Sequence, residues 1–193
     1  GLLINAPYYN RPSAEGVYRH IMAIVEATDL PVMIYDIPGR TGVRITDETL
    51  ARLAEHERIL AVKDATGDVE QGFRRMEATG LEYYSGDDGL NFAWLAHGAS
   101  GVVSVVAHAD AHSWREMITE VDAGDLAGAR AVARRIRPLV QAIMGGGQGA
   151  VMAKEALLLQ GRIPSAALRL PLVRAEADEV AALRAVLDAS GLL

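Results

Sequence analysis

The run Ile59-Leu-Ala-Val-Lys63-Asp-Ala65 sets a lysine inside an otherwise apolar stretch with the character of a buried β-strand. An ammonium is costly to carry into an apolar interior, so a lysine held there lowers its pKa or has a task. A desolvated amine attacks carbonyl carbon, the opening step of Schiff-base catalysis. Strand side chains alternate, which puts Ile59, Ala61, Lys63 and Ala65 on one face and Leu60, Val62 and Asp64 on the other. The first face has small neighbours and leaves room for a ligand beside the lysine. The second has the bulk to meet helices. The bland alternative is a lysine that snorkels at a strand end or pairs with Asp64, although adjacent strand residues point oppositely.

Tyr35 holds the matching position in the preceding apolar run, Met33-Ile-Tyr-Asp-Ile37. Beside a Schiff-base lysine its hydroxyl can relay protons as a carbinolamine forms and dehydrates; otherwise it is a packed aromatic with a satisfied hydroxyl. Arg40, in Pro38-Gly39-Arg40-Thr41-Gly42, sits on a tight loop at the same end. Its planar fork suits a substrate carboxylate, and the alternative is an ordinary surface arginine. Tyr8 and Tyr9 join a site or pack an interface. Adjacent Asp87 and Asp88 invite a metal reading, but carboxylates opening a helix are more often caps aligned with its dipole. His108 and His112 stand four apart with no glutamate after His108 and no third ligand in view, and read as structural or solvent-facing. Glu15, Glu48, Glu116 and Glu179 read as helix-surface charges.

The elements that must position these residues follow from periodicity. Apolar, β-rich runs predict strands at 1–7, 32–37, 59–65, 81–85 and 101–106. Between them lie helices near 14–27, capped by Ser13, and 47–56, capped by Thr46. A third covers 69–79, where Asp68 and Gln71 form a capping-box signature, and a fourth 88–97. Strands alternating with helices at these loop lengths predict a parallel sheet covered by helices. After 107 no strand pattern returns, and helices are expected near 110–122, 125–143, 149–160 and 176–190. The organisation is then a partial barrel over 1–122 and a C-terminal helical domain over 123–193.

A doubly wound sheet and part of a (β/α)8 barrel both fit that order. No strand leads into GxGxxG or GxxxxGK[ST], and Gly145-Gly-Gly-Gln-Gly149 lies between helices, as a loop or hinge would. Barrel enzymes place chemistry at the C-terminal ends of strands. Tyr35, Arg40, Lys63, Ser85-Gly86-Asp87 and Ser104 cluster there, so the barrel is preferred. It is incomplete, because a whole barrel takes about 250 residues and eight strands.

Composition narrows the classes. The chain has 193 residues, 50% of them hydrophobic, and a net charge of −6. Its pI is near 5.4. That acidity, with no basic run, argues against nucleic acid as the main partner. No stretch reaches the roughly 18 to 20 unbroken apolar residues of a membrane span. There are no cysteines, which excludes disulfides, thiolate chemistry and cysteine-ligated zinc and suits a cytoplasmic protein. The chain opens Gly1-Leu-Leu-Ile without a methionine or a basic leader, as a fragment would.

Five segments, in this order, carry a resemblance: Ala6-Pro-Tyr-Tyr-Asn-Arg-Pro12, Ile34-Tyr-Asp-Ile-Pro-Gly-Arg-Thr-Gly42, Val62-Lys-Asp-Ala-Thr-Gly67, Tyr84-Ser-Gly-Asp-Asp88 and Gly101-Val-Val-Ser-Val105. With them the chain resembles the dihydrodipicolinate synthase family of pyruvate-dependent class I aldolases, which also contains N-acetylneuraminate lyase. The likeness runs through Ala189-Ser-Gly-Leu-Leu193 and implies barrel strands four to eight plus the family's C-terminal helical domain. It implies that Lys63 forms the pyruvate imine, Tyr35 relays protons, and Tyr9 reaches into a neighbouring subunit's site. By the same resemblance Arg40 holds the carboxylate of aspartate 4-semialdehyde, and Val103 (through its backbone) and Gly86 line the pyruvate pocket. Tyr8 would lie toward the lysine-feedback region of some members. The implied activity is condensation of pyruvate with aspartate 4-semialdehyde in diaminopimelate and lysine biosynthesis, without metal or organic cofactor, in a homotetramer. The Gly-Arg-Thr-Gly loop favours this over a sugar-acid lyase, and an inactive fragment is the rival from another class. Asp36 stands where many members have asparagine, and Gly39 where serine is common. The family's N-terminal strands, with a threonine pair that links the two tyrosines, have no counterpart in this sequence.

Overall fold

The computed structural model describes residues 1–193 except Gly147, so the loop expected at 145–149 lies partly outside the described residues. The chain divides into two compact units, Gly1–Val103 and Ser104–Leu193. The first carries β1 (Leu2–Asn5), α1 (Ala14–Glu26), β2 (Val32–Asp36), α2 (Pro38–Thr41), α3 (Asp47–Ala54), β3 (Ile59–Asp64), α4 (Val69–Thr79), β4 (Glu82–Ser85), α5 (Asn91–Ala96) and β5 (Gly101–Val102). All neighbouring strands pair parallel, and their spatial order is their sequence order, β1 to β5. A doubly wound sheet reverses its order at a switch point. An unreversed order is that of a barrel wall.

Alternation decides what each strand face meets. Ile4, Ile34, Val62 and Tyr83 point into a core built with Val17, Ile21 and Val25 of α1, Leu50 and Leu53 of α3, and Trp94 of α5. Gly72 lets α4 close on that core, since a β-carbon there would stand 2.0 Å from the Trp94 ring. Ser13, Thr46 and Asp68 cap α1, α3 and α4 as expected, each accepting from a backbone N–H three residues on. The reciprocal half of the box at Asp68 is not made. Gln71 turns its amide to Asp47 Oδ1 instead, at 3.3 Å.

Three local expectations are corrected. Ile59 joins the helix-side core while Leu60 is 51% exposed, because the register shifts between Val32 and Met33. The fifth strand stops at Val102, so Ser104 is not on it. The turn after β2 is one helical turn, with Pro38 at its first position and Gly42 closing it at φ 77°.

The second unit holds a 3₁₀ turn at Val106–His108 and helices α6 (Ala111–Asp122), α7 (Leu126–Met144), α8 (Gly149–Leu159) and α9 (Ala177–Ala189). Within it α6 packs along α7. Inside it, Glu155 is buried and bound by both arms of Arg174, at 2.8 and 2.7 Å. Among the described residues no helix is long and apolar enough to cross a membrane.

Candidate active site

Register assembles the site. Asn5, Tyr35, Lys63, Tyr84 and Gly101 are successive partners across the five strands, one row on the face turned away from the core. Tyr35 and Lys63 are each half-buried in that row, with Lys63 Nζ 3.9 Å from the centroid of the Tyr35 ring. The negative face of the ring favours a cation there, whether ammonium or iminium. Burial acts the other way and holds the Lys63 amine below its ordinary pKa, opposed by the carboxylate of Asp88. The Tyr35 phenol is pushed above its ordinary range by burial, with the Arg40 charge opposing. Burial therefore favours the neutral form of both groups, the free amine of Lys63 and the protonated phenol of Tyr35. That pairing can deliver a nucleophile and a proton donor together.

Small residues make the room. A β-carbon on Gly86 would stand 2.9 Å from Lys63 Cε and 3.0 Å from Lys63 Cγ. One on Gly101 would stand 3.1 Å from the Tyr84 ring. Gly86 is held there because its N–H donates to the Asp64 carbonyl at 2.7 Å, and the Val103 N–H donates to the Ser85 carbonyl at 2.8 Å. These bonds continue the sheet ladder past the strand ends and bring Gly86 and Val103 to the same edge as Lys63.

Arg40 rides exposed on α2, close enough for its charge to act on Tyr35. Tyr9 is outside this group. It is 94% exposed on the loop after β1, with its backbone at φ 74°, and Arg11 beside it sits at φ 43°. Non-glycine residues in the left-handed region carry strain, and such strain gathers where a loop is shaped for a task. Arg11 lays its side chain on Gly42, where a β-carbon would meet Nε at 2.9 Å. Asp64 does not pair with Lys63; it is buried on the opposite face and accepts from Thr66 N and Oγ1 at 2.9 and 2.8 Å.

Two residues escaped the sequence. Tyr84 is the register partner of Lys63 on β4, which only the pairing reveals. Asp87 and Asp88 are not helix caps: α5 begins at Asn91 with no side-chain cap, and Asp87 Oδ1 closes a turn on Gly89 N at 3.0 Å. Asp88 is instead buried and oriented by the Asn91 amide at 3.1 Å, and it is the carboxylate that acts on Lys63. Among the described residues no group of three or more His, Asp or Glu side chains is arranged to hold a metal ion.

Comparison with known proteins follows the same lines. The model of the dihydrodipicolinate synthetase family matches residues 1–190. A 4-hydroxy-tetrahydrodipicolinate synthase of Kineococcus radiotolerans is 50% identical over 192 residues, covering 100% of this chain and 62% of its own length. The crystal structure of dihydrodipicolinate synthase from Thermotoga maritima superposes with a TM-score of 0.94 at 39% identity, covering 100% of this chain and 67% of that one. A chloride-inhibited dihydrodipicolinate synthase from Acinetobacter baumannii, complexed with pyruvate, gives 0.93 at 36% identity over 99% of this chain and 66% of that one. The chain therefore spans less than two thirds of the curated relative's length.

Proposed function

Because the chain belongs to the dihydrodipicolinate synthetase family, we propose that it carries the Schiff-base half of a pyruvate-dependent aldolase site. The observation that supports this most is the Lys63 amine, with its pKa depressed by burial, lying 3.9 Å from the Tyr35 ring centroid. Lys63 adds to the C2 carbonyl of pyruvate, and loss of water leaves a protonated imine. That iminium is the electron sink, so the methyl carbon loses a proton to give an enamine without a metal or organic cofactor. The ring face of Tyr35 favours the cation, and its hydroxyl, kept protonated by burial, relays the protons.

The enamine carbon then attacks the aldehyde of aspartate 4-semialdehyde. Arg40 binds its carboxylate, and Gly86 and the Val103 backbone line the pocket. Attack of the substrate's own amine on the imine carbon closes the ring and returns Lys63, giving 4-hydroxy-tetrahydrodipicolinate. Tyr9, exposed on its strained loop, serves a neighbouring copy of the chain, so the working form is a homo-oligomer, tetrameric as the resemblance implies.

The test is carbon-13 NMR with pyruvate labelled at C2. An imine carbon signal that appears with the folded protein and is lost in Lys63→Arg supports the reading. No such signal at saturating pyruvate contradicts it.

A further inference from the structure

Behind the row of Tyr35 and Lys63, on the core side of the same strands, lies a buried charged cluster that the proposed chemistry does not use. Asp36 follows Tyr35, Asp64 follows Lys63, and the two carboxylates are register partners. Both are buried, and so is Arg75 of α4, which reaches in beside them. Arg75 Nη1 donates to Asp36 Oδ2 at 3.1 Å, Nε to Asp47 Oδ1 at 2.6 Å, and Nη2 to the Ile45 carbonyl at 2.6 Å. The Ile45 N–H in turn donates to Asp36 Oδ1 at 3.3 Å. Burial raises the pKa of both carboxyls, with Arg75 opposing in each case.

A buried ion pair is weak as a source of stability, because desolvating the charges offsets most of their attraction. What a planar guanidinium fork supplies is geometry, since it fixes several acceptors at set angles. Here those acceptors lie on β2, on the segment after α2, and at the start of α3. The geometry is passed forward through the backbone. The Ala65 N–H donates to the Asp36 carbonyl at 2.9 Å, and the Gly86 N–H to the Asp64 carbonyl at 2.7 Å. Asp36 thus grips the end of β3, and Asp64 sets the glycine that touches Lys63.

We propose that Arg75 is a positioning residue for Lys63: clamping Asp36 and Ile45 from behind the sheet, it holds the strand ends that keep the amine over the Tyr35 ring. Its consequence for catalysis rests on the Schiff-base reading; the clamp itself does not.

The chain contains two lysines, Lys63 and Lys154, so lysine labelled with carbon-13 at Cε gives two side-chain signals. The Tyr35 ring current should move the Lys63 ε-methylene upfield of Lys154, with Lys63→Arg assigning the pair. In Arg75→Met the Lys63 signal is expected to move at least half the way toward that of Lys154. Arg75→Lys, which keeps a charge but cannot span the three acceptors, gives the same result should the methionine variant not fold. Asp47→Ala removes only the exposed partner and leaves the signal in place. A Lys63 signal unmoved in a folded Arg75 variant overturns the proposal, whatever the change in melting temperature. Pyruvate binding is read separately: a parent protein that shows the clamp-dependent shift but forms no imine refutes the Schiff-base reading and leaves the clamp standing.

Discussion

Gly86 and Lys63 are in such close contact that the smallest side chain at position 86 would press on the lysine stem, 2.9 Å from Cε. The lysine is therefore placed by its own strand and also by the absence of a side chain on the next one. A half-buried lysine needs a defined direction as well as a low pKa, since reacting atoms displaced by 1 Å can lose about 10²-fold in rate.

Gly86→Ala is accordingly expected to slow pyruvate imine formation about tenfold or more, in line with that displacement cost. Overpacking would lower stability by about 1–3 kcal/mol. Imine formation rates and thermal melts on the same preparation separate the two effects. Wild-type rates in a folded Gly86→Ala protein would show that the contact does not direct the amine.

Only the unprotonated amine attacks, so the rate of imine formation rises with pH and levels off below the ordinary lysine range, because burial depresses Lys63. The Asp88 carboxylate favours the ammonium, so Asp88→Asn shifts the rising limb to lower pH. A limb that stays in place or moves to higher pH contradicts this assignment of Asp88.

In the proposed mechanism Arg40 separates the two substrates. Arg40→Ala leaves pyruvate imine formation within about twofold while weakening use of aspartate 4-semialdehyde. A charged hydrogen bond of about 1.5–3 kcal/mol corresponds to roughly 10- to 150-fold. Equal loss with both substrates would place Arg40 in the pyruvate step instead.

Asp64 gives a stability signature. Its folded-state pKa lies above the unfolded value because burial penalises the carboxylate. The native state therefore binds the extra proton, and stability falls as pH rises from the unfolded pKa through the folded one. Asp64→Asn removes that contribution, so its melting temperature changes less with pH across the window above the ordinary carboxylate range. Parallel curves for the two proteins would refute the shift.

The strand pattern and its lysine were legible because they rest on short-range rules: apolar runs, Ser and Thr caps, and a charge where none is expected. Parallel alternation also placed Tyr35 beside Lys63, as the register confirms. What lay beyond reach depends on pairing. The Val32/Met33 irregularity sends Ile59 into the helix-side core and exposes Leu60, and no periodicity in either strand announces it. Asp87 and Asp88 looked alike as neighbours, yet one closes a turn and the other is buried near the lysine. Arg75 reads as another helix charge until its three acceptors, from 28 to 39 residues away in sequence, are brought together.

In the proposed mechanism one amine, Lys63, becomes covalently joined to a 2-oxo acid. Borohydride reduction in the presence of pyruvate, followed by peptide mass mapping, tests it directly, and the two lysines make the result unambiguous. A single reduced pyruvyl adduct is expected on Lys63, absent in Lys63→Arg and absent without borohydride. An unmodified Lys63 in folded protein, or an adduct on Lys154 at equal yield, would contradict it.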